Sequence, residues 1–194
     1  MELWVATTNK GKLNEFRNLL SEKNITIRSN SDLNSYSSPP ETGKTFAENA
    51  RIKARSLASV KKGVWVVGED SGLEVEGLAN NPGIFSARYA GDKASDAENN
   101  AKVLKMLKIR SPQMRKARFF CAMVAFSPEG KEFLFEATVA GQISEKIRGT
   151  EGFGYDVIFT PEGQDKTFAE LGLAFKNRIS HRAQAIRKLA EVLI

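Results

Sequence analysis

Residues 117–139 read ARFFCAMVAFSPEGKEFLFEATV. Two apolar runs, 117–126 and 133–139, flank Ser127-Pro128-Glu129-Gly130. Runs of this kind separated by a short Pro/Gly turn form a β-hairpin. Strands joined so briefly run antiparallel, so the sheet is at least partly antiparallel. Residues 64–67 (VWVV) form a compact buried strand that runs into a polar turn, Glu69-Asp70-Ser71-Gly72. Residues 3–6 form a first short strand, and 156–159 another. After the polar turn 7–12 (TTNKGK), Leu13, Phe16 and Leu20 recur at helical spacing. Thr45-Phe46-Ala47-Glu48 has the capping-box pattern and opens a helix to about Val60. Phe46, Ala50, Ala54 and Leu57 form its buried stripe. Ser95 and Glu98 repeat the pattern before Val103, Leu104 and Leu107. Residues 180–194 close the chain as a helix with Ile186, Leu189, Ala190 and Leu193 inward, and the Ser/Asn/Pro-rich stretch 29–40 is a surface loop. The class is α/β, mixed α+β, with residues 1–194 as a single domain that has room for two lobes.

Composition narrows the chemistry. Apolar residues make up 41% of the 194, ordinary for a globular protein. No apolar run approaches membrane-spanning length, and the start, MELWVATTNK, has no secretion-signal pattern. The net charge of +6, from 29 basic and 23 acidic residues, suits an anionic ligand. The basic residues are scattered, without the dense run of a nucleic-acid tail, so no nucleic-acid partner is expected. Cys121 is the one cysteine, set in an apolar run, and reads as a buried thiol. That is compatible with a reducing cytosol. One Cys and one His cannot build a zinc site of the usual types. A metal would be held by carboxylates, carbonyls and water, which points to magnesium or manganese.

Several short motifs can carry chemistry. At 7–12, a strand, a glycine-containing polar turn and a helix follow one another, a favourable place for phosphate, with Lys10 and Lys12 adding charge. It is not a P-loop, because Leu13 stands where that motif needs Ser or Thr. The same residues also suit a plain helix start with incidental lysines. Acids at the end of a strand suit magnesium or the activation of water. Glu69 and Asp70 point to opposite faces of an extended strand, so one of them, Asp70, is the candidate, with Glu41 as partner; a solvated acidic turn is the other reading. Asn49 and Lys53 share a helix face, where Lys53 either snorkels to solvent or meets a phosphate. Ser180 is a good N-cap. His181 and Arg182 then sit in a first turn where the helix dipole disfavours cations, which hints at an anionic or carbonyl partner; a surface arginine beside an N-terminal histidine is the other reading.

Residues 152–156 read GFGYD. Gly152 and Gly154 let the backbone turn tightly around Phe153. A ring held that way can stack on any base, while the Asp156 carboxylate can accept from a ring N–H. A turn with a core phenylalanine would use the same residues.

Together these pieces resemble the inosine triphosphate pyrophosphatase-like family. The matching motifs are ATTNKGK at 6–12, ETGKTFAENA at 41–50, EDSGLEV at 69–75 and PGIFSARYAG at 82–91. GFGYDVIF at 152–159, KTFAEL at 166–171 and SHR at 180–182 complete the series. The resemblance runs in order along nearly the whole chain. It implies a long mixed sheet flanked by helices, in two lobes with a central cleft. It also implies a cytoplasmic homodimer that uses Mg2+ and hydrolyses nonstandard purine nucleoside triphosphates to monophosphate and pyrophosphate. Thr7, Thr8, Asn9, Lys10, Gly11 and Lys12 would hold the phosphates with Lys53. Glu41 and Asp70 would serve the metal, Asp70 would accept the proton, and Ser71 would contact substrate. Phe153, Gly154, Tyr155, Asp156, Lys176, His181 and Arg182 would hold the base. Many members of the family carry two aspartates where this chain has Glu69-Asp70, and the longer Glu69 puts a metal role at that position in doubt. Other modified nucleotides as substrates, or a non-catalytic nucleotide- or RNA-binding module, are the competing readings.

Overall fold

The computed structural model describes residues 1–193. In chain order it contains β1 (Glu2–Val5), α1 (Lys10–Leu19), β2 (Thr26–Ser29), α2 (Phe46–Val60), β3 (Trp65–Val75) and β4 (Asn81–Pro82). There follow α3 (Asp96–Arg110), β5 (Lys116–Phe126), β6 (Glu132–Ile143), β7 (Phe159–Pro161), α4 (Phe168–Ile179) and α5 (His181–Val192). Among the described residues seven strands form one sheet, in the order β2-β1-β3-β5-β6-β7 with β4 paired to β3. It is mixed: β1 pairs in parallel with β2 and β3, whereas β6 and β7 are antiparallel. The hairpin turn closes through hydrogen bonds from Ser127 to Lys131 and from Gly130 to Ser127. No helix among the described residues is long and apolar enough to cross a membrane.

The chain folds into two compact units. The first holds residues 1–70, 121–137 and 182–193, and the second holds 71–120 and 138–181. In the first unit β1 is buried on both faces, as the parallel pairing on each side of it requires. Leu3 and Val5 pack with Leu13 and Phe16 of α1 and Ile186 and Leu189 of α5. Trp4 and Ala6 pack on the other face with Leu57 of α2 and Val66. Each fully buried Leu or Phe of this kind contributes about 1.5–3 kcal/mol before the entropy of ordering it is subtracted. In the second unit Leu73, Val75, Val103, Leu107, Phe119, Phe159 and Phe168 form a separate core.

Several expected boundaries move. The polar turn expected at 69–72 is strand: β3 runs on through Glu69 and Asp70 to Val75, where Glu74 and Val75 pair with β4. Both acids find buried partners, so nothing drives the backbone out to water. The strand expected at 156–159 starts only at Phe159. Residues 154–158 are a turn closed by bonds from Ile158 and Phe159 to the Tyr155 carbonyl. Helix α1 starts at Lys10, inside the expected polar turn, because Asn9 caps it. The expected loop at 29–40 opens on the last residue of β2 and a short 3-10 turn, Asn30–Asp32. Helix α4 was not anticipated at all, although Thr167 and Glu170 form the same capping box as Ser95 and Glu98. Gly172 (φ 80°) interrupts α4, which weakens its periodicity in the sequence.

Candidate active site

Among the described residues the first unit carries two polar clusters and the second carries one. In the first unit, Gly68 makes the first cluster possible. A Cβ at Gly68 would collide with the Ala50 carbonyl and lie 2.5 Å from the Ala54 nitrogen, so only glycine lets α2 approach β3 this closely. The approach sets Asn49 and Lys53, one helical turn apart, against Asp70. Lys53 Nζ donates to Asp70 Oδ1 at 3.0 Å and Asn49 Nδ2 to Oδ2 at 3.2 Å, so both carboxylate oxygens are oriented. Asn49 is held in turn by the Gly43 amide, which donates to its Oδ1 at 2.8 Å. Lys53 Nζ also lies 2.5 Å from Glu41 Oε1. Asp70 is 6% exposed.

Both members of the central pair titrate above their ordinary values, for opposite reasons. For Asp70 burial dominates and raises the carboxyl, outweighing the attraction of Lys53 and Lys12. For Lys53 burial acts downward, and Asp70 and Glu41 outweigh it. The distances make an ion pair at neutral pH, with Asp70 a stronger base than a solvated aspartate.

A second cluster in the same unit lies around Glu69. Lys12 Nζ stands 2.7 Å from Glu69 Oε2, and Arg182 Nη2 donates to Oε1 at 3.1 Å. Arg182 Nη1 donates to Glu15 Oε2 at 2.5 Å. Two cations and two anions thus alternate, and three of the four are almost fully buried. Buried charges are tolerated only when paired in this way. The anionic partner expected for Arg182 is therefore Glu69 with Glu15. Burial would lower the Arg182 pKa, but these two acids raise it on balance. Cys121 lies at the same carboxylate, Sγ to Glu69 Oε1 at 3.5 Å, and burial pushes its thiol pKa well up.

Helix α1 supplies Lys12 and Glu15 to the second cluster. The Asn9 amide donates to Thr7 Oγ1 at 3.1 Å, and the Lys12 amide donates to Asn9 Oδ1 at 3.0 Å. Thr8, Asn9 and Lys10 are exposed, and the first turn holds no acid. A helix start with exposed polar residues and no acid favours an anion.

In the second unit, the turn at 152–156 is built around Asp156. Gly152 (φ 83°) and Gly154 (φ 61°) take left-handed conformations, and a Cβ on Gly152 would run into the Asp156 carboxylate. Asp156 Oδ2 accepts from the Phe153 amide at 3.0 Å and from Lys176 Nζ at 2.6 Å. Lys176 Nζ stands 4.3 Å from the centroid of the half-buried Phe153 ring. His181 stacks on Phe119, ring centroids 4.7 Å apart. Tyr155 faces inward, donating its hydroxyl to the Ser86 carbonyl at 2.8 Å, and burial raises its pKa. Ser71 is half-buried in β3.

The first unit therefore brings together Lys53, Glu41 and Asp70, and separately Lys12 and Arg182. The second brings together Phe153, Asp156 and Lys176. Tyr155 turns its hydroxyl to the Ser86 carbonyl, and Arg182 pairs with Glu69 and Glu15. Glu15, Asp96 and Asn100 escape sequence reasoning, since their partners are far along the chain. Asn49 was placed beside Lys53 by helical spacing, but its bond to Asp70 depends on how α2 docks.

The Ham1 family profile matches residues 3–192. A dITP/XTP pyrophosphatase of Bdellovibrio bacteriovorus is 52% identical over 194 residues, covering 100% of this chain and 98% of the relative. One of Bacillus subtilis is 42% identical, covering 99% and 96%. A HAM1 protein from Coxiella burnetii has a similar fold, with a TM-score of 0.88 and 38% identity over 100% of this chain and 98% of that one. A nucleoside-triphosphatase / dITP/XTP pyrophosphatase from Mycobacterium abscessus gives a TM-score of 0.75 at 38% identity and the same coverage.

Proposed function

The chain belongs to the Ham1 family, and we propose that it is a pyrophosphatase of nonstandard purine nucleoside triphosphates, removing ITP, dITP, XTP and dXTP from the nucleotide pool. The observation that carries the reading is Asp70, a nearly buried carboxylate with each oxygen oriented by a different donor.

In the reaction, water attacks the α-phosphorus and the bond to the bridging oxygen of the β-phosphate breaks, releasing pyrophosphate and the monophosphate. Asp70 orients the water and takes its proton, a role suited to a carboxylate whose basicity burial has raised. The start of α1, from Thr7 to Lys12, holds phosphate oxygens with Lys53.

Glu41 and Asp70 would hold Mg2+. The two carboxylates come from distant segments and both approach one cationic group, the Lys53 ammonium, so their donor chemistry fits a divalent ion. Among the described residues no three acids, His or Cys cluster as a metal cage. Magnesium characteristically takes one or two carboxylates and completes its shell with water and phosphates. When bound it would neutralise charge on the phosphate oxygens.

The base falls to Phe153, Lys176 and His181, with Ser71 as a further substrate contact. A flat base stacks on Phe153. The Lys176 ammonium can donate to a C6 carbonyl, as in hypoxanthine and xanthine, and finds no acceptor in the adenine amine. Adenine therefore forgoes the bond that a C6 carbonyl makes, which penalises it. Tyr155 and Asp156 fix the turn, and Arg182 holds the charge balance around Glu69. A cytoplasmic homodimer fits the family resemblance, and light scattering tests the assembly.

One assay tests the reading: pyrophosphate release from ITP, XTP, GTP and ATP, with and without magnesium. Release from ITP and XTP in the presence of magnesium alone is expected. Equal efficiency on ATP would sink the base assignment, and no release from any nucleotide would sink the enzyme.

A further inference from the structure

Asp96 and Asn100 lie one helical turn apart at the start of α3, on one face of that helix. Both reach the turn that carries Phe153. Asp96 Oδ2 accepts from the Gly154 amide at 2.6 Å, and Asn100 Nδ2 donates to the Gly154 carbonyl at 2.8 Å. The second N–H of Asn100 goes to the Asp96 carbonyl at 2.7 Å, so two carbonyls fix which way this amide points. Asn100 is 1% exposed. Capping does not explain Asp96, because Ser95 and Glu98 already close the capping box of α3.

The polar backbone groups at Phe153 and Gly154 are thus tied from both sides. The Phe153 amide goes to Asp156, and both the amide and the carbonyl of Gly154 go to α3. Gly154 has φ of 61°, and a glycine outside regular structure is the residue that most readily changes conformation. Without the two ties, the ring beside it would sample several orientations. A base-stacking ring held in one orientation has less entropy to lose when the base arrives.

We propose that Asp96 and Asn100 are positioning residues for base binding, a clamp on Gly154 that presets the Phe153 ring. The inference rests on the base-binding assignment of Phe153 above. Neither residue touches the base; they act through the backbone of the turn.

The test uses Asp96→Ala, Asp96→Asn and Asn100→Ala in the full chain, with ITP as substrate and inorganic tripolyphosphate as a competitor that has no base. Asp96→Ala raises KM for ITP by up to about tenfold, the scale of one lost hydrogen bond. Its kcat stays within about twofold, and inhibition by tripolyphosphate is unchanged. Asp96→Asn keeps an acceptor oxygen but loses the charge, and it recovers most of the loss. Asn100→Ala behaves as Asp96→Ala. Amide hydrogen exchange of residues 152–156 speeds up in both alanine variants and not in Asp96→Asn. A role in stabilising α3 alone would instead follow the charge, so Asp96→Asn would match Asp96→Ala, and tripolyphosphate would weaken in step with ITP. That pattern, or exchange at 152–156 that does not change, overturns the clamp. If the wild-type protein hydrolyses no nucleotide, the assigned function fails, and the exchange measurement still decides the clamp.

Discussion

Glu69 and Asp70 are neighbours in β3, and their carboxylates serve different partners: Glu69 turns to Lys12 and Arg182, Asp70 to Lys53 and Asn49. Alternation along an extended strand imposes this division. It separates the acid that can meet water from the acid that holds the interior together. Asp70→Asn is therefore expected to lower kcat for ITP by about two orders of magnitude or more, the scale of a lost general base. Steady-state hydrolysis at near wild-type rate would refute the assignment.

Glu69→Gln acts on the fold. It leaves the buried Arg182 with Glu15 as its remaining carboxylate and takes the partner from Lys12. Breaking a buried pair on one side costs about 3–5 kcal/mol. Urea unfolding monitored by circular dichroism should show a loss of that order, and an unchanged midpoint would contradict it.

Gly68→Ala tests the docking of α2. The new methyl meets the backbone of Ala50 and Ala54, which cannot swing aside as a side chain can. Overpacking of this kind costs about 1–3 kcal/mol. It also moves Asn49 and Lys53 off Asp70, so kcat falls with stability. A variant as active and as stable as wild type would show that the contact is not needed.

Cys121 should be inert in the native protein. Burial raises its thiol pKa, with Glu69 adding to the shift, so the thiolate fraction at any given pH is below that of a free cysteine. At pH 8, Ellman's reagent should react with the single thiol only after denaturation in guanidinium. Rapid native labelling would contradict the burial.

Lys176→Met keeps the length of the side chain and removes its donors. The preference for ITP over ATP in kcat/KM is expected to fall by about tenfold or more. A ratio that stays constant would move the reading of the C6 carbonyl to another residue.

Much of this was legible in the sequence because it is local. The hairpin at 117–139, the capped helices α2 and α3, and the core stripe of Phe46, Ala50, Ala54 and Leu57 all follow from residues near one another in the chain. All four of that stripe are buried. The segment Glu69–Gly72 is strand and not turn because its turn-forming residue types are overridden by distant partners: Lys12, Lys53 and Arg182 keep two acids inside a strand. At 154–158 the opposite holds: an apolar run that suits a strand is a turn, because Gly152 and Gly154 take positive φ. Asp96 and Asn100 could not be singled out, because each lies more than fifty residues from Gly154 along the chain.

The alternating charges of Lys12, Glu69, Arg182 and Glu15 also bear on how this chain can diverge from its relatives. They come from three separate stretches of sequence yet form one electrostatic unit. A change at one of them strands a charge in the interior, so a tolerated change has to arrive together with a second. Aspartate at position 69, one methylene shorter, would enter a lineage only alongside a shift in whichever member must then reach further.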